Sequence, residues 1–115
     1  MFHLHQGMSY YLYSRPTDMR KSFYTLSGII TNHMGRNVQN GEVFIFINRP
    51  RDCMKILHLE CGGLVLYHLR LEAGRFSLPT LNPEQPACPF SWSALMLMIQ
   101  QNEAVMRKKR RQKIR

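Results

Sequence analysis

The chain has 115 residues, the size of one ordinary domain, which excludes an α/β barrel of about 250 residues and any two-domain dehydrogenase. Hydrophobic residues make up 44% and charged residues 20%, a globular composition far from that of disordered chains. Sixteen Lys plus Arg against seven Asp plus Glu give a formal charge of +9, which excludes an acidic protein and points to polyanionic partners.

Residues 8–14 are aromatic-rich and predict a strand ended by Pro16. Thr17 or Asp18 is placed to cap a helix over residues 17–34, in which Met19, Phe23, Leu26 and Ile30 recur at steps of four, three and four. Gly28 weakens that helix by about 1 kcal/mol relative to Ala, and Gly35 is its natural stop. Asn40-Gly41 signals a turn, and the short apolar run after it, residues 43–48, reads as a central strand. Residues 49–52 turn around Pro50, residues 53–60 form the next strand, Cys61-Gly62-Gly63 turns again, and residues 64–72 form another. In that last strand Val65, Tyr67, Leu69 and Leu71 share one face, while Leu66, His68, Arg70 and Glu72 share the other. Ala73-Gly74 turns the chain into a further short strand over residues 75–78.

Four of the six prolines fall at residues 79–89, so residues 79–90 read as an extended connector. Ser91 caps a final helix, residues 91–106, with Trp92, Leu95, Met98 and Ile99 on its apolar side. The chain closes on a basic tail, residues 107–115, in which Arg107, Lys108, Lys109, Arg110, Arg111, Lys113 and Arg115 meet no acid. Such a block suits a phosphate polyanion because binding releases condensed counterions. The plain alternative is a solvated end without a specific partner. The predicted fold class is α+β: an antiparallel meander of about four to five strands, one covering helix and a C-terminal helix, with residues 1–78 as the core domain.

The chemistry of catalysis is thin. The aspartates are Asp18 and Asp52, and the five glutamates stand at 42, 60, 72, 84 and 103, too scattered for a two-metal nuclease centre. No Gly-rich phosphate loop is present. Cys53, His58 and Cys61 lie close in sequence, but no C-x-x-C pair exists, and alternation puts His58 on the opposite face from the two thiols. The expectation is therefore no enzyme, no metal, no cofactor and no small-molecule substrate. Cys53, Cys61 and Cys88 are expected to be free thiols, with Cys53 in the core. The N-terminal residues lack a secretory pattern, and the longest clean apolar stretch, residues 94–99, is far short of a span of about 20, so no membrane contact and a cytoplasmic location are expected.

The basic residues of the body are more telling. Arg15, Arg20 and Lys21 flank the start of the first predicted helix, Arg49, Arg51 and Lys55 sit at one hairpin, and Arg70 and Arg75 close the next. With the tail they form the candidate nucleic-acid-binding set, through phosphate contacts. Scattered solubilising charges are the competing reading.

Three motifs give these residues a context: P-x-D-M-R-K-S from Pro16 to Ser22, F-x-N-R-x-R-D from Phe46 to Asp52, and R-L-E-x-G-R-F from Arg70 to Phe76. In unbroken order over residues 8–80 they closely resemble the small accessory TnpB proteins of insertion-sequence family sixty-six. Leu59-Glu60 replaces a Trp-Asp pair frequent in that family, and Leu69 replaces a Lys that would otherwise be a possible phosphate contact. The resemblance implies a bacterial mobile-element protein that supports transposition beside a separate, larger transposase. The partners expected are DNA, met by the basic surface and tail, or alternatively that transposase, on which the body would dock without direct DNA readout.

Overall fold

The computed structural model describes residues 4–100. Five strands form one open sheet: β1 (Tyr10–Tyr13), β2 (Val43–Ile47), β3 (Cys53–Glu60), β4 (Gly63–Arg70) and β5 (Ala87–Phe90), in the order β4-β3-β2-β1-β5. β2, β3 and β4 make the expected antiparallel meander, Ile45 facing Ile56 and Ile56 facing Tyr67. The helix α1 (Phe23–Asn32), a single 3-10 turn (Val38–Asn40) and the helix α2 (residues 92–100) complete the described chain. The α+β class and both helices match the sequence expectation.

The two faces of the sheet are covered by different helices, which explains why β2 reads as an uninterrupted apolar run. Val43, Ile45 and Ile47 join Tyr10, Leu12, Met54 and Ile56 in a core completed by Leu95 and Met98 of α2. Phe44 and Phe46 point the other way, joining Tyr13 and Leu57 under Leu26 and Ile30 of α1. A strand buried on both faces has no position for a polar residue, and all five residues of β2 are buried. Cys53 is buried, as expected, and burial pushes its thiol up from the ordinary value.

Four expectations are corrected. The first helix begins at Phe23, not residue 17. The Thr17 backbone N–H is engaged by the Ile47 carbonyl at 2.9 Å, and Lys21 N–H bonds the Asp18 carbonyl at 3.1 Å, so residues 17–21 form a turn against β2. Ser22 is the N-cap, and Phe23, expected inward, stands 43% exposed. Second, β1 runs parallel to β2, with Tyr11 opposite Phe44, because the intervening α1 carries the chain back to the same end of the sheet. Third, residues 75–78 form no strand; Phe76 drops its side chain into the core and donates its N–H to the Arg51 carbonyl at 2.7 Å. Fourth, residues 87–90 of the expected connector are the edge strand β5, paired antiparallel to β1. An edge strand tolerates Pro89 because only one side of it needs ladder hydrogen bonds.

Candidate nucleic-acid interface

Parallel pairing of β1 with β2 brings four connections to one end of the sheet: residues 14–22 after β1, 48–52 between β2 and β3, 71–76 after β4, and the approach to β5. Backbone bonds knit them together. Thr17 N–H reaches Ile47 O at 2.9 Å, Leu71 N–H reaches Asp52 O at 2.8 Å, Phe76 N–H reaches Arg51 O at 2.7 Å, and Ser14 N–H reaches Pro86 O at 3.1 Å. All eight basic residues expected to bind nucleic acid within the body, Arg15, Arg20, Lys21, Arg49, Arg51, Lys55, Arg70 and Arg75, belong to this end. The opposite end carries Glu42 and Glu60, with Arg36 bound to Glu42 at 2.6 Å and lying 4.0 Å over the Tyr11 ring. The cationic end also holds Asp18, Asp52 and Glu72, but there the cations outnumber the acids, whereas Glu42 and Glu60 outnumber Arg36 at the other.

The eight are not equivalent. Lys55 is only 8% exposed; its ammonium donates to the Lys21 carbonyl at 2.7 Å, and it faces Phe46 across the ladder. It ties the entry of α1 to β3 and offers no surface charge, contrary to its expected place among the binding cations. The reason is the face of β3 on which it falls, under α1, where only its stem can be covered and its head must find an internal acceptor. Arg20 is exposed but committed to Asp18 through three side-chain bonds of 2.6–3.1 Å, and that guanidinium holds the Asp18 carboxyl down to about 2. Arg15, Arg49, Arg51, Arg70 and Arg75 are exposed. The seven cations of residues 107–115 lie outside the described residues.

Arg49 and Arg51 are presented by a built loop. Asn48 Oδ1 accepts from Asp52 N–H at 3.1 Å and from Cys53 N–H at 3.0 Å, and Asn48 Nδ2 donates to Asp52 Oδ1 at 2.7 Å. The Asn48 amide beside it holds the Asp52 carboxyl below the ordinary aspartate range. Arg51 takes φ of +63°, a left-handed conformation that costs an L-residue about 1–2 kcal/mol. That strain persists because Phe76 and Asn48 fix the backbone on both sides of it. Sequence reading identified the two arginines but passed over Asn48 as their support. An asparagine opening a Pro-containing turn was the available signal.

Arg15, Arg49 and Arg51 border one groove of about 560 Å3, walled by Pro16, Leu78, Pro79 and Leu81, with no acidic residue in its lining. Residue 78 is expected to end a strand and residues 79–81 only to connect, and nothing in their composition marks them as a wall. Among the described residues no three His, Cys, Asp or Glu side chains gather to hold a metal ion. No described helix is long and apolar enough to cross a membrane.

Asn48→Ala removes the acceptor of two backbone N–H groups and the partner of Asp52. It is expected to cost about 2–3 kcal/mol in a urea melt. The support Asp52 adds is complete above the ordinary aspartate range and is lost as pH falls through its lowered value, so the difference between wild type and variant should shrink in acid.

These features define a small α+β protein with an open sheet and its exposed cations gathered on the loops at one end. Residues 8–110 match the model of the family described as IS66 Orf2 like protein, and the chain belongs to that family, the TnpB accessory proteins of IS66 transposons. No curated protein and no solved structure gives a match.

Proposed function

We propose that this accessory protein supports transposition without catalysing a step itself, by binding DNA through the cationic end of its sheet and its basic tail. The observation that carries this reading is the convergence of Arg15, Arg49, Arg51, Arg70 and Arg75, contributed by three separate connections and the end of β4, at one end of the sheet. Charges placed only for solubility have no reason to converge, whereas phosphate contact requires it. One acid of this end, Asp18, is neutralised where it stands by Arg20.

A salt-dependent titration of full-length protein on element-end and random DNA tests the proposal. Arg49→Ala combined with Arg51→Gly should weaken binding and reduce any preference for element ends, with the salt slope falling by about 1.8 if each arginine meets one phosphate. Glycine at position 51 relieves the left-handed strain, so the folded state should be no less stable at that site. Loss of affinity with retained stability separates a binding role from a structural one. A slope unchanged by the substitutions would remove the hairpin from the interface.

A second reading is favoured by α1. Its ten residues carry no charge, and Tyr24 stands 93% exposed beside the half-exposed Phe23. An uncharged surface with exposed aromatics suits protein contact, and the element's transposase is the partner this reading assigns. Absence of any salt-sensitive DNA affinity in the titration would leave this docking role standing alone.

A further inference from the structure

We infer that the Arg15–Arg49–Arg51 groove receives an unpaired nucleotide, so that the protein prefers single-stranded DNA to duplex. The inference rests on the DNA-binding reading and goes beyond it by naming the form of the DNA. The size of the groove is the first reason. At about 560 Å3 it falls within the roughly 300–1,000 Å3 of pockets that enclose one small molecule. A duplex keeps its bases stacked inside and shows only their edges in its grooves, so no base of it can enter a hollow of that kind.

The second reason is the division of chemistry inside the groove. Guanidinium groups stand on its border, on the β1–α1 connection and the β2–β3 turn, while Leu78, Pro79 and Leu81 supply an apolar wall. Phosphates alone would need no apolar surface. A nucleotide has a phosphate for the border and a flat ring face for the wall; single-strand binders pair cations with aromatic platforms, and here Leu78, Pro79 and Leu81 take the platform's place. The third reason concerns sequence preference. The Asn48 amide, one group of this lining able to read a base edge, is spent on Asp52 and Cys53 within its own loop. Any sequence preference then rests on Arg15, Arg49 and Arg51.

The test uses full-length protein and three probes of equal length, roughly 12 nucleotides, within the span of small single-strand binders: a mixed-sequence single strand, a strand of abasic sites, and the blunt duplex. Thr80→Glu is the informative variant, because Thr80 is exposed and lines the groove, so a longer, charged side chain there occupies the hollow meant for the base without touching the core. The expected result is single-strand binding about tenfold tighter than abasic-strand or duplex binding, the share of one seated base. Thr80→Glu should abolish that margin. Abasic and mixed strands bound equally, duplex bound as well as single strand, or a margin that survives Thr80→Glu would each overturn the inference while leaving the DNA reading intact. No salt-sensitive binding to any probe would overturn both.

Discussion

Deleting residues 107–115 is expected to produce the largest functional change in this protein. The segment holds seven of the sixteen basic residues and no acid. If it neutralises about five phosphates, the log–log salt slope on B-DNA should flatten by about 4.5 units. Over a fourfold change in salt, a slope difference of that size amounts to roughly two to three orders of magnitude in affinity. The loss should be similar for all sequences, because a run of cations meets phosphates rather than base edges. Any preference held by the groove and its arginines should survive the deletion, since it resides on the folded end of the sheet. A truncated protein with an unchanged salt slope would show that the tail is a bystander.

The largest expected loss of stability comes from the central strand. Phe44 and Phe46 are both fully buried on the α1 face, Phe44 stacked on Tyr11 at 6.1 Å between ring centres and Phe46 tilted against Tyr13 at 6.0 Å. Either one replaced by alanine should cost about 3–5 kcal/mol, through lost burial plus the cavity left behind. The two should not be equal. Phe46 faces Lys55 across the ladder, so its removal opens space beside a buried ammonium and lets water relieve part of the penalty. Phe44 faces Leu57, and its cavity stays dry. Urea melts should therefore place Phe44→Ala near the upper end of the range and Phe46→Ala near the lower end, with melting temperatures depressed by roughly 10–20 °C. The reverse order would mean that Lys55 depends on Phe46 for its seat.

Residues neighbouring in the chain determined much of this fold by themselves. Period-two alternation in β4, the apolar run of β2 and the Cys61-Gly62 turn each specify a local conformation through sterics and solvation, so the β2–β3–β4 meander was legible from the sequence. The amphipathic spacing of Leu26 and Ile30 likewise marked α1, and Trp92, Leu95 and Met98 marked α2. The three motifs carried the family.

What only tertiary structure decided involves partners distant in sequence. The start of α1 depends on the Ile47 carbonyl that captures Thr17, a group thirty residues away, which overrides the local capping signal at Thr17 and Asp18. The parallel alignment of β1, the pairing of β5 with it and the loss of a strand at residues 75–78 are set by which edges and cavities remain after the meander forms. The candidate site belongs to the same category. Its arginines come from three stretches of chain, at Arg15, at Arg49 and Arg51, and at Arg70 and Arg75, and share one end only because the parallel β1–β2 pairing returns their loops there. Lys55 carries the same charge in the sequence as Arg49 and Arg51, yet the face of β3 on which it falls turns it from a surface cation into an internal tie. Charge is written in the sequence; whether a charge meets solvent depends on which face is covered, and that is decided by packing.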